Sequence, residues 1–242
     1  MTSVSVVVPA RNEEELLPRC LSALRQQQFD DFEIVVVDSA STDRTRQVAQ
    51  SFGARVIRVE EPGVGRARQA GFEAATGDII VSTDADAISK PDWLQQTVVP
   101  FTNPLVIATF GSIELTGQRI WTRLGYAIFS GFQAVNLRVG RPLFCGPNFA
   151  VRKNTFLDVD GFKVNGEFPD EAEDVQLAQK LKKRGKIVFL PGNKVIVSSR
   201  HLDKGQGLRY TGHHLGVYLK VCWLGSAIQE TSRRLHLDHR SR

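Results

Sequence analysis

The sequence predicts an α/β fold in which helices flank a doubly wound, mostly parallel sheet. Runs rich in β-branched residues at Val4 to Val8, Ile34 to Val37 and Ile79 to Val81 lack the alternation of a half-exposed strand, so both sheet faces should be covered. Helical periodicities lie between these runs, and polar or acidic loops follow them. In such sheets ligands bind beyond the carboxyl ends of the strands, where Pro9 to Glu13, Asp38 and Asp84 to Asp86 fall.

Taken in order, Asn12 is positioned to cap a helix with Glu15 answering from the third helical position, and Leu16, Leu17, Cys20, Leu21 and Leu24 follow at helical spacing. The run ending at Asp38 leads into Ser39 to Asp43, which opens a helix reaching Gly53. Arg55 to Val59 reads as a third strand, and Gly63 to Arg68 opens a helix stopped at Gly77. Asp78 to Thr83 is a fourth strand, completing a βαβαβαβ alternation over the first 86 residues. Beyond it a helix is expected from Pro91 and a strand at Leu105 to Phe110, followed by an amphipathic helix over Ile120 to Leu137. Phe149 to Arg152 is a strand, Glu171 to Arg184 a helix, and Ile187 to Leu190 and Lys194 to Ser199 two further strands. Two amphipathic helical segments follow Gly207, hinged near Gly225.

A chain of 242 residues with 42% hydrophobic content can bury a full core. Its three scattered cysteines, Cys20, Cys145 and Cys222, form neither a disulfide framework nor a CxxC metal site, and a reducing compartment fits them best. The first nine residues reach a proline before any signal-peptide core develops, and no run of 18 apolar residues predicts a spanning helix. The net charge is +5, and from Asp203 to Arg242 seven Lys or Arg face three acids. Such a basic tail suits an anionic surface or a solvated helix face.

Ser82-Thr83-Asp84-Ala85-Asp86 is the stretch with the most chemical consequence. Two carboxylates at ~4 Å repel by ~4 kcal/mol at an effective dielectric near 20, so a partly buried pair calls for an offsetting charge. Mg²⁺ or Mn²⁺ would supply it and leave positions open for a diphosphate. An Asx-rich turn is the alternative reading of the triplet. Gly63-x-Gly65-x-x-Arg68 lacks the third glycine of a dinucleotide fingerprint and follows the third strand, which disfavours a dehydrogenase.

Separated blocks then agree with one another. Val6 to Glu14, Val35 to Asp43, Gly65 to Gly71 with Gly77-Asp78, and Thr83 to Asp86 together resemble the family 2 glycosyltransferases of GT-A fold. The likeness continues through Gly146 to Arg152 and Glu171 to Ala178, covering roughly the first 200 residues. The resemblance implies a Rossmann-like GT-A catalytic domain over 1–202, with a nucleotide-binding half at about 1–90 and an acceptor half at about 91–202. The basic helical extension over 203–242 follows it.

The activity implied is inverting transfer of a sugar from a nucleoside-diphosphate sugar, UDP- or GDP-linked, to a hydroxyl or phosphate of a glycan or lipid-linked acceptor. By the same resemblance Asp38 binds the base, flanked by Pro9, Ala10, Arg11 and Glu13. Arg66 and Arg68 meet the diphosphate, and Asp84 and Ala85 contact donor or metal. Asp86 is the direct ligand of Mn²⁺ or Mg²⁺, and His201 is a candidate third ligand. Asp174 is the expected base with Glu173 beside it, although an acidic helix start is also favoured by the dipole alone.

Two rivals remain at this level. One is a catalytically silent nucleotide-sugar-binding scaffold, which would lack the acids that are present. The other is a nucleotidyltransferase, which would want a glycine-rich, lysine-bearing loop where Pro9 to Glu14 is acidic. Nucleic acid is not an expected partner. The 120–137 helix and the 207–242 segment suit a membrane surface and a homodimer interface equally, and the expected location is cytoplasmic, with the cytoplasmic membrane face as the peripheral variant.

Overall fold

A computed structural model describes residues 3–116, 120–162 and 172–200 of the chain. Strands β1 (Val4–Ala10), β2 (Phe32–Ser39), β3 (Arg55–Val59) and β4 (Ile79–Ser82) alternate with helices α1 (Leu17–Arg25), α2 (Thr45–Ser51) and α3 (Val64–Ala74). Then come β5 (Ala87–Ser89), α4 (Trp93–Val98), β6 (Val106–Leu115), α5 (Ile120–Arg138), β7 (Phe149–Arg152), α6 (Lys153–Leu157), α7 (Glu173–Leu181) and β8 (Lys186–Val197). The strands form one sheet in the order β3-β2-β1-β4-β7-β6-β8-β5. Strands β1 to β4 are mutually parallel and β6 pairs in parallel with β8, while β7 and β5 run antiparallel to their neighbours.

Every residue of β1 is buried, Ser5 among the valines included, as a strand covered on both faces requires. Alternation along the strands then splits the core in two. Val4, Val6, Val8 and Val36 pack with Leu17, Leu21, Leu24 and Trp93 on one face. Val7, Val35, Val37 and Ile80 pack on the other with Phe72, Phe110, Phe149 and Leu177. The second layer is centred on aromatic rings, with Phe72 edge-on to Phe162 at 5.1 Å and against Phe156 at 5.0 Å. Truncating a buried ring such as Phe72 to Ala would cost about 3–5 kcal/mol. Helix α3 lies so close to the sheet that a Cβ on Gly71 would run into the side chains of Val7 and Val37.

The structure departs from the sequence reading where pairing partners decide the outcome. Asn12 does not cap α1, which begins at Leu17 without a side-chain cap. Instead Asn12 takes a left-handed φ of 53° and its Oδ1 accepts the Thr42 N–H at 2.9 Å, tying two loops together. Helix α2 likewise starts at Thr45, after a turn in which Asp43 accepts the Thr45 N–H and hydroxyl. The two strands expected near the end are one strand, β8, whose pairing with β6 shifts at Gly111/Ser112 while Pro191 to Asn193 bulges out. Strand β6 extends to Leu115, and the short edge strand β5 had no sequence expectation. Residues Met1–Ser199 form one compact unit. His201 and the predicted helices beyond Gly207 lie outside the described residues.

Candidate active site

The parallel strands β1, β2 and β4 deliver their polar loops to a common edge. Ala10 pairs with Asp38 at the ends of β1 and β2, and Ser82 ends β4 opposite Val7. The loop after β1 and the loop after β2 are joined by cross-hydrogen bonds. The N–H groups of Asn12, Glu13 and Glu14 donate to Ser41 Oγ (3.0 Å), Thr45 Oγ1 (2.7 Å) and Asp43 Oδ2 (3.1 Å). Asp38 is buried here, and its Oδ1 accepts the Ser41 N–H at 3.0 Å. It therefore caps its own turn while standing at the edge where Pro9 to Glu13 begin.

Asp84-Ala85-Asp86 is not the extended segment that would put both carboxylates on one face. The Ala87 N–H donates to the Asp84 carbonyl at 3.0 Å, closing a turn between β4 and β5. Beneath that turn the Cys20 thiol donates to the same carbonyl at 3.4 Å. Burial pushes the Cys20 thiol pKa up, and the charges of Asp84, Asp86 and Glu13 push in the same direction.

The two arginines of α3 part company. Arg66 pairs with Glu61, a largely exposed carboxylate. Arg68 is only 4% exposed at its side chain and forms two ion pairs, from Nη2 to Asp84 Oδ1 at 2.5 Å and from Nη1 to Glu173 Oε1. A guanidinium suits this bridge because its planar fork carries several donors in fixed directions. Its Nε is buried without a hydrogen-bond acceptor among the described residues. Gly146 makes the bridge possible, since a Cβ there would collide with the Arg68 guanidinium.

Glu173 and Asp174 open α7 after Ala172, which takes a left-handed φ of 55°. Asp174 Oδ1 accepts the Val175 N–H at 2.7 Å, and the Gly146 N–H also reaches this carboxylate. Burial raises the Asp174 pKa above the ordinary carboxylate value, against the opposing pull of Arg68 and the two N–H groups, with Asp84 adding to the rise. Gly146 is fixed in turn by Ser82, whose hydroxyl donates to the Gly146 carbonyl at 2.7 Å. Asn148, two residues on, donates to the Ser112 and Asn193 carbonyls at 2.8 Å and accepts the Trp93 indole N–H at 2.9 Å. Trp93 is thus a buried packing residue.

The structure therefore brings Arg68, Asp84, Glu173 and Asp174 together from α3, the end of β4 and the start of α7. Asp38, with Pro9 to Glu13, stands along the same strand ends, and Arg66 is turned away into a surface pair. Sequence reasoning missed Ser82 and Gly146 as positioning residues. The signal was a glycine before Pro147 in a buried segment, which by itself names no partner. Asp84 and Asp86 offer the hard oxygens that Mg²⁺ or Mn²⁺ takes when it is held by one or two carboxylates and substrate phosphates. Among the described residues no group of three or more His, Cys, Asp or Glu side chains is placed to hold a metal ion.

A parallel sheet carrying acids at its strand ends, extended by the β7-β6-β8 segment, is the GT-A architecture. Residues 5–159 match the family model for glycosyl transferase family 2, and the chain belongs to that family. Glycosyltransferase AglE of Haloferax volcanii is 29% identical over 168 residues, 66% of this chain and 55% of that protein. The crystal structure of residues 1–349 of S. aureus TarS shares the fold, with a TM-score of 0.65 and 22% identity over 81% of this chain and 60% of that one. Mannosyltransferase PcManGT from Pyrobaculum calidifontis, solved with GDP-Man and Mn²⁺, gives a TM-score of 0.62 and 25% identity over 81% of this chain and 56% of that one. The chain thus spans little more than half the length of AglE and PcManGT.

Proposed function

We propose that this protein is an inverting glycosyltransferase that moves a sugar from a UDP- or GDP-sugar to an acceptor hydroxyl. The observation that carries the reading is the Arg68 bridge, which joins an acid of the donor turn, Asp84, to the acid pair at the start of α7. Family membership and the GDP-Man and Mn²⁺ bound by PcManGT support the donor class. Residues 1–202 would be the catalytic domain and 203–242 its appendage.

In this reading the nucleobase lies against Asp38 and the Pro9 to Glu13 loop, and Asp86 together with Asp84 would hold the divalent metal. The metal, when bound, neutralises charge on the departing diphosphate. Arg68 keeps Asp84 and Glu173 in register and is a positioning residue. The acceptor oxygen attacks C1 from the side opposite the diphosphate and the C1–O bond to phosphate breaks. The acceptor proton passes to Asp174, and the nucleoside diphosphate leaves with the bonding electrons. A carboxyl whose pKa is raised by burial is a stronger base once ionised, which suits Asp174 to this task.

Hydrolysis of a panel of UDP- and GDP-sugars with Mn²⁺, compared between the natural protein and Asp86→Ala, tests the assignment. Loss of a metal ligand should reduce turnover at least about a hundredfold. Equal turnover by the variant would remove Asp86 from the metal site, and absence of turnover or binding for every donor would sink the transferase reading.

A further inference from the structure

We propose that the outer face of α5 and the adjoining turn before β8 form a docking surface for an anionic lipid bilayer. Along α5 and just past its end, Ile128, Val135 and Val139 are 65%, 55% and 61% exposed, and their spacing puts them on one side of the helix. Leu105, 69% exposed, adds a fourth large apolar side chain beside the turn, where its carbonyl accepts the Lys186 N–H. An apolar stripe of this kind is the part of an amphipathic surface that enters the acyl boundary.

The charge around the stripe has one sign. From Ile120 to Arg141 the sequence contains no Asp or Glu, and the same holds from Lys180 to Lys186. Lys182, Lys183, Arg184 and Lys186 are exposed, as is Arg138 at the last turn of α5. The two cationic regions meet on one shallow groove of about 520 Å³, where Arg138 and Lys186 flank a floor that includes Gly131, Ala134 and Ile187. A Cβ added to Gly131 would touch nothing within 4 Å, so among the described residues nothing covers the helix at this point.

Charge complementarity selects the partner. A second copy meeting this face through a two-fold axis would set cations against cations, with no carboxylate among the described residues of either patch. An anionic headgroup layer matches the cations and leaves the apolar stripe a medium to enter. The described helices include none long and apolar enough to cross a membrane, so the contact is one of lying on the surface. The proposal stands apart from the transferase reading, because the face is distinct from the Arg68 and Asp84 site.

The test is co-sedimentation of the full chain with vesicles of phosphatidylcholine alone and of phosphatidylcholine with about one-third phosphatidylglycerol. Binding should require the anionic lipid and weaken as salt is raised. Lys183→Gln with Arg184→Gln should weaken it about twenty-fivefold, at about fivefold per cation. Ile128→Ser with Val135→Ser should weaken it more than about tenfold. Thermal unfolding and Mn²⁺-dependent nucleotide binding of both variants should match the natural protein, which separates a lost docking face from a lost fold or donor site. Failure to bind either vesicle, or variants that bind as the natural protein does, would overturn the proposal. So would a dimer in sedimentation velocity that the serine variant dissociates while vesicle binding is retained, which would make the face an interface between copies.

Discussion

At the N-terminal edge of the sheet, Glu33 accepts hydrogen bonds from the Ser5 hydroxyl (2.6 Å), the Thr76 N–H and hydroxyl (both 2.7 Å) and Arg55 Nε (3.0 Å). At the opposite edge Arg68 holds Asp84 and Glu173, with Asp174 beside them. Both regions tie carboxylates to arginine across distant parts of the chain, yet the pKa values of Glu33 and Asp174 move in opposite directions. Burial works against the charge of Glu33, but its hydrogen bonds and Arg55 outweigh it and lower its pKa to about 2. For Asp174 burial prevails and the pKa rises. The first edge is satisfied and closes the fold, whereas the second retains an acid poised to take up a proton.

The strongest way to break this comparison is Asp174→Asn. Turnover of a nucleotide-sugar donor should fall about a thousandfold, within the span of general-base catalysis. Stability should move the other way. A carboxyl with a raised folded pKa stabilises the native state fully below its unfolded pKa, and that contribution is lost as pH rises through the folded value. The amide variant, which never ionises, should therefore gain in melting temperature relative to the natural protein as pH rises through that value. A melting temperature lowered equally at every pH would contradict the raised pKa.

Next in size is Arg68→Ala, which leaves Asp84 and Glu173 without their shared cation and should destabilise by about 3–5 kcal/mol in urea unfolding. Arg68→Lys keeps the charge but loses the planar fork. It should retain more stability than alanine while depressing turnover, and full activity in the lysine variant would show that bridging is dispensable.

Glu33→Gln is the smaller, scaffold-side counterpart, with an expected loss of about 2 kcal/mol at neutral pH after discounting for its partial exposure. Because the pKa of Glu33 is lowered, its contribution exists above the ordinary carboxylate value and disappears as pH falls toward about 2. The stabilities of variant and natural protein should therefore converge in acid. Donor turnover should be unchanged.

The two edges also differ in how far the sequence announces them. The βα alternation was legible because periodicity is local, and so were Asp38, Asp84 and the Glu173-Asp174 pair as acids placed after strands or at a helix start. Local patterns do not report on partners. Arg68 and Glu173 are 105 positions apart, and their meeting depends on a missing Cβ at Gly146. The cap expected of Asn12 failed because a cross-loop hydrogen bond to Thr42 won over a helix start. The joined strand β8 and the short β5 escaped notice because bulged and antiparallel edge strands are defined by the neighbour they pair with.

Cys20 lies under the Asp84 to Ala87 turn, and Cys145 lies close enough to Asp174 and Asp84 for their charges to add to what burial does to its thiol. Both thiols are buried, with pKa values pushed upward, so neither presents a thiolate to solvent in the native state. A thiol reagent then reaches either sulfur only when the surrounding structure opens, at a pace set by that opening. Among the described residues these thiols are two built-in clocks, one below the Asp84 to Ala87 turn and one beside the acid pair, and the order in which they run gives the order in which the two regions come apart.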